Sequence, residues 1–216
     1  TGTGGALNGS PIVFKATGLP TSAEKLVKYD GDGQSQNVNV SLDNPVKIKV
    51  VDLYENGISD HQVTFTLQAG NGTIIDNASE VTTFQTTTDD SGFAAVVWKM
   101  PQAPGQVFMN VAGNKPAGGA LVDSPVQFTA TATSDAADEM MAESDTTFEA
   151  TVGSSLPEQI AVKVVDQYDN AVANVPVSFN VTSGGGAVDG ETSQTVQTGA
   201  DGIAGVNWTL GPSHGT

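Results

Sequence analysis

The stretch KVVDLYENGISDHQVTFTLQAGNGTI, residues 49–74, returns 114 residues later as KVVDQYDNAVANVPVSFNVTSGGGAV, residues 163–188, with ten identities in 26 ungapped positions. A chain that repeats itself at this period builds one supersecondary unit twice, so it is not read as a single fold. After one shortened loop the match resumes at an offset of 110, with TDDSGFAAVVW (88–98) over TGADGIAGVNW (198–208). The opening obeys the first offset as well: Gly4, Gly5, Ser10, Pro11, Phe14, Ala16 and Thr17 fall on Gly118, Gly119, Ser124, Pro125, Phe128, Ala130 and Thr131. Residues 1–18 therefore read as the final strand of a preceding repeat, residues 21–133 as a complete domain, and residues 134–216 as a second domain lacking its last two strands.

Strands carry the repeat. PVKIKVV alternates Val46, Ile48 and Val50 with Lys47 and Lys49, and QVTFTLQ alternates Val63, Phe65 and Leu67 with threonine and glutamine. Period-two patterns of this kind put one face inward and one outward. EKLVKY, the Trp98 strand, QVFMNVA and SPVQFTATA extend the series, and ENG, GNG, DDSG, APG and NKPAGG mark turns between them. About seven short strands per repeat imply an all-β fold of tandem immunoglobulin-like β-sandwiches of Greek-key type. Trp98 and Trp208 are the expected core plugs, with Phe65 and Phe179, because a large aromatic fills the space between two sheets. Phe93 and Val97 share the Trp98 strand but point the other way, to a loop, a junction between repeats or an exposed patch.

Composition narrows the partners. All eight basic residues are lysines, against 24 acids, for a net charge of −16. Without arginine or a basic stripe, nucleic-acid binding is disfavoured, and so is an anionic membrane surface. The chain has no cysteine, which excludes disulfides and thiolate metal sites. No run of ten apolar residues occurs, so no membrane insertion is expected within this sequence.

Candidate chemistry is sparse. YDGDGQSQ (29–36) sets Asp30 and Asp32 two apart among glycines, the spacing of a calcium loop, and these are the candidate metal ligands; the bidentate acid expected at the far end of such a loop is missing. No other cofactor is expected. Asp52 and Asp166, repeated at strand ends, are read as acceptors for the backbone of the turn that follows. Asp135, Asp138 and Glu139 lie between the repeats, where solvated loops are the ordinary reading and a cation would stiffen a junction. His61 reads as a lone polar loop residue and GGG at 184–186 as a turn. Six Asn-x-Ser/Thr sequons occur, of which Asn71 and Asn77 lie in predicted loops and are the candidate glycosylation sites.

With these residues the sequence resembles the group 1 bacterial immunoglobulin-like domain, the repeat of invasin- and intimin-type surface proteins. Its pattern of a valine strand ending in aspartate, an asparagine turn, a V-x-F strand and a T-x-x-x-G-x-A strand reads here as VVDLYENG, VTF and TDDSGFAAVVW, and again as VVDQYDNA, VSF and TGADGIAGVNW. One departure is the proline usual after the asparagine turn, replaced by Ile58 and Val172. The resemblance implies extracellular, cell-surface modules without catalysis. The leading reading is a stalk or spacer repeat whose partners are adjacent immunoglobulin-like repeats. A second is a filament of like subunits assembled by strand donation from residues 4–17, with Ile12, Phe14 and Ala16 on the donated face. A third is a carbohydrate- or protein-binding adhesin module, engaging a surface receptor or glycan through Tyr54 and Tyr168, the tyrosines at equivalent turns; each is otherwise expected to pack beside its own turn.

Overall fold

A computed structural model describes residues 4–5 and 8–213. Among the described residues there is no helix, and all regular structure is strand. The first repeat holds β1 (Lys25–Asp30), β2 (Gln34–Asn37), β3 (Val46–Val51), β4 (Gln62–Leu67), β5 (Thr73–Asp76), β6 (Ser79–Val81), β7 (Thr83–Thr87), β8 (Phe93–Lys99), β9 (Gly105–Gly113) and β10 (Val126–Thr133). The second holds β11 (Glu139–Ala142), β12 (Ile160–Val165), β13 (Pro176–Asn180), β14 (Ala187–Val188), β15 (Ser193–Gln197), β16 (Ile203–Val206) and β17 (Trp208–Thr209).

The first repeat is a sandwich of two five-stranded sheets, ordered β1-β3-β8-β5-β6 and β2-β10-β9-β4-β7. Neighbours in each sheet are mostly not neighbours in sequence, because the chain crosses between sheets after every strand from β1 to β8 except β5, in the Greek-key manner of immunoglobulin-like domains. Register follows from alternation: Val46 pairs with Val96 and Ile48 with Ala94, so four small or branched side chains share the inner face. On the facing sheet, Phe65 pairs with Val111 and Phe128 with Met109. Trp98, Phe65 and Phe128 have no exposed surface, and the Trp98 indole donates to the Asn71 carbonyl at 2.8 Å, which satisfies its one polar atom. Every side chain of this core belongs to the first repeat except Tyr168, which packs against its edge.

The YDGDGQSQ stretch is divided between two sheets. Its first residues end β1 and Gln34–Gln36 begin β2, which pairs in parallel with β10 from Ala130↔Gln34 to Thr133↔Asn37. Gly31 makes the crossing at a φ of 86°, where a Cβ would overlap the Pro45 carbonyl. Asp32 fastens the crossing: Lys28 Nζ donates to its Oδ2 at 2.6 Å and the Thr129 amide to its Oδ1 at 2.8 Å. Asp30 Oδ1 instead accepts the Gly31 amide.

In the second repeat the sheets are smaller: β11-β12-β16, β13-β15 and β14-β17. Among the described residues, no strand takes the positions that β9 and β10 hold in the first. The inner faces of β12 and β13 are therefore only partly covered. Val164, Val172, Val177 and Ala204 form the buried cluster, and Phe179 packs against it half-buried. Trp208 is half-buried too, its indole nitrogen has no partner among the described residues, and it lines an open cavity of about 240 Å³ with Phe179, Val188 and Ile160. The sequence equates Trp208 with Trp98 and Phe179 with Phe65, but the missing facing strands deny the second pair the burial of the first.

Residues 10–20 form no strand; Ile12 and Phe14 are 75% and 89% exposed, and Ala16 is exposed. Gly4, Gly5 and residues 8–17 are the described part of the candidate donor segment.

Candidate functional site: the junction between the repeats

In each repeat the entering linker is held by a buried carboxylate. Asp166, 2% exposed, receives the Tyr168 and Asn170 amides on Oδ1 at 2.9 Å each, and the Asp135 amide and Asn170 Nδ2 on Oδ2 at 2.9 and 3.0 Å. Asp52, also 2% exposed, is held the same way by Tyr54, Asn56 and Thr21. Burial by itself would raise both carboxyl pKa values. The converging N–H donors outweigh it and hold both below the ordinary 3.8, Asp52 far below. A single side chain thus shapes the turn that follows its strand and fixes the linker that enters its repeat.

At Asp166 the turn meets the far end of the first repeat. Asn39, at a φ of 61° just after β2, donates its Nδ2 to the Tyr168 hydroxyl at 2.8 Å. Asn170 Nδ2 donates to the Gln102 carbonyl at 2.8 Å as well as to Asp166. Asp135, in the linker, accepts Asn37 Nδ2 on one oxygen at 3.2 Å and Gln167 Nε2 on the other at 2.8 Å. The Ala136 amide, the Gln167 side-chain amide and Asn37 lower its pKa, against partial desolvation and repulsion from nearby Asp166. Two turns of the first repeat present these groups, laced by the Asn39 amide on the Pro101 carbonyl at 2.9 Å and the Met100 amide on the Val40 carbonyl at 2.9 Å. The junction combines a tyrosine against a hydrophobic edge with two hydrogen bonds directly between the repeats and two more that meet on Asp135 of the linker.

The remaining candidates lie apart from this junction. Asp30 and Asp32 close the β1–β2 crossing, and among the described residues no three His, Asp or Glu side chains gather to hold an ion. Asn71 is half-buried with its carbonyl engaged by Trp98, whereas Asn77 is exposed at the β5–β6 turn with a φ of 44°. Phe93 stacks edge-on with Tyr29 at 4.6 Å on the outer face of the first sheet, under Lys47 at 4.2 Å, and Val97 is 38% exposed on that face. His61 is half-buried; burial pushes its imidazole down, against a hydrogen bond with the Asn114 backbone. Tyr54 departs from expectation: it is 71% exposed rather than packed on its turn, because at its end of the repeat nothing among the described residues covers it as the first repeat covers Tyr168. Asn37, Asn39 and Gln102 carried no signal as contacts in the sequence, Asn39 appearing only as the start of a sequon. The repeated Tyr and Asn of the D-x-Y-x-N turn were the readable half of the pair.

Fold and junction define the class: an all-β protein of tandem immunoglobulin-like β-sandwiches. No family model matches the sequence, and no curated protein matches it. Among solved structures it is similar to the D00-D0 domain of intimin (17% identity, 88% of each chain, TM-score 0.45). It is also similar to the adhesin InvE of Yersinia pseudotuberculosis (18% identity, 87% of this chain and 51% of that one, TM-score 0.38). A third is a tetra-tandem repeat in the extending region of a large adhesion protein (14% identity, 88% of this chain and 41% of that one, TM-score 0.34). The chain spans about half the length of the InvE structure.

Proposed function

We propose that the chain is a stalk segment of a cell-surface protein, two links of an array that spaces a binding head from the surface. The observation that supports this reading is the junction: a short linker is pinned at Asp166 and the two sandwiches are tied to each other through Tyr168, Asn170 and Asp135. In an array each repeat contacts only its neighbours, so such end-to-end contacts set the spacing. In the same reading residues 1–18 are the closing strand of an earlier repeat, since residues 4–17 match 118–131, the approach to β10 and most of its length, and lead into the linker at Thr21 as β10 leads into Asp135. The acidic, arginine-free surface suits a rod that resists sticking to itself.

The test is an antiserum against this chain, applied to intact cells and to denaturing gels of the organism that makes it. Surface labelling of a polypeptide far heavier than 22 kDa is expected. A surface polypeptide near 22 kDa, polymerising into fibres, would replace the stalk with strand donation, and an intracellular one would refute both.

A further inference from the structure

The turn at residues 53–56 repeats the junction turn at 167–170 in every backbone respect, yet it faces solvent. Glu55 and Asp169 share a φ of 65°. The Tyr54 and Tyr168 amides rest on their aspartates at 2.8 and 2.9 Å. The chain enters each repeat by the same route, with Thr21 or Asp135 on the aspartate and Glu24 or Asp138 on the Val51 or Val165 carbonyl at 2.9 Å. Only the outward contacts differ. Leu53 and Tyr54 are 73% and 71% exposed, while Tyr168 is half-buried. Asn56 Nδ2 spends one proton on Asp52, whereas Asn170 Nδ2 spends one on Asp166 and its second on Gln102.

We propose that Leu53, Tyr54 and Asn56 form a docking face for the far end of another immunoglobulin-like repeat of this type. The occupant presents an amide side chain to the Tyr54 hydroxyl and a backbone carbonyl to Asn56, as Asn39 and Gln102 do for the second repeat, and it lies beside Leu53 as the first repeat lies beside the exposed Gln167. Because the linker path is fixed by Asp52, the face is filled by the repeat that precedes residue 21 in the same polypeptide. A short tether makes that contact intramolecular, so a few hydrogen bonds and one buried tyrosine suffice to hold it. This deepens the stalk reading by assigning its joint.

The chain lacks cysteine, so introduced cysteines can be spin-labelled without background. In an extended chain, a copy of residues 21–131 replaces residues 1–17. One label pair sits at Thr66→Cys in the added copy and in the original first repeat. A second, in a separate sample, spans the existing junction at Thr66→Cys and the equivalent Asn180→Cys. The expected result is a narrow distance distribution for the first pair, of the same width as the second, that at least doubles with Tyr54→Ala. Asn39→Gly in the added copy, the residue at the equivalent Gly153, is expected to broaden it equally while leaving the turn untouched. A broad distribution for the unsubstituted extended chain, or a narrow one indifferent to both substitutions, overturns the docking face. Either outcome leaves the stalk standing if the polypeptide is long and on the cell surface, and an intracellular polypeptide refutes the stalk without altering the distances.

Discussion

Truncating the equivalent phenylalanines of the two repeats separates packing from sequence identity. Phe65 is fully buried between complete sheets, so Phe65→Ala leaves a closed cavity and costs about 3–5 kcal/mol. Phe179, at the same place in the pattern, is half-buried beside an open cavity, so Phe179→Ala loses part of a transfer term and no cavity term, about 1–2 kcal/mol. The assay is urea unfolding read by fluorescence, because each repeat carries one tryptophan: Trp208→Phe leaves Trp98 as the sole reporter of the first repeat, and Trp98→Phe leaves Trp208 for the second. With an m-value of about 2 kcal/mol per molar urea, the Phe65→Ala midpoint falls by roughly 1.5–2.5 M and the Phe179→Ala midpoint by less than about 1 M. Equal shifts would refute the argument, because they would require the second core to be as closed as the first.

Two further outcomes follow from the same geometry. Asp52 and Asp166 have folded pKa values below the ordinary 3.8, so the stability they confer is complete above that value and is lost as pH falls through their depressed folded values. Melting temperature should fall between pH 5 and pH 2, and Asp166→Asn should lower it at pH 7 while flattening the acid dependence; an unchanged acid slope in that variant would refute the assignment. Gly92 sits at a φ of 84° with a Cβ position 2.6 Å from the Val50 carbonyl oxygen and 2.7 Å from the Gly57 Cα, whereas Gly70, at a φ of 87°, has open space around it. Gly92→Ala should cost clearly more than the roughly 1 kcal/mol of left-handed strain expected for Gly70→Ala, and equal losses in thermal melts would show that the clash is relieved.

Alternation made the sandwich legible. Val46, Ile48 and Val50 announce a half-buried strand, and all three are without exposed surface. What escaped was whatever lacked that contrast. Strand β2 reads QSQN, polar on both faces, and its partner β10 lies 96 residues away; nothing local distinguishes such an edge strand from the loop YDGDGQSQ suggests. The hairpin of β5 and β6 hides in TIIDNASEV for a similar reason, being two short strands around Asn77 and Ala78, both at positive φ. At the junction, Tyr168 and Asn170 were visible because they repeat, while Asn39 and Gln102 were not, because their counterparts Gly153 and Pro212 differ. A repeat shows which residues are shared, and burial depends on what stands opposite them.

The parallel pairing of β2 with β10 governs how the first repeat meets force. If its two ends are drawn apart, tension enters at Thr21 and β1 and leaves through β10, and beyond β1 it reaches β2, whose pairs with β10 from Ala130↔Gln34 to Thr133↔Asn37 are then loaded along their strands. Slanted parallel hydrogen bonds strained in that direction share the load and yield together, where an antiparallel hairpin pulled from its open end would unzip one bond at a time. Asp32, gripping Thr129 from the β1–β2 crossing, adds a further tie at the same seam. Under such tension even a short polar strand with no part in the hydrophobic core would act as the unit's latch.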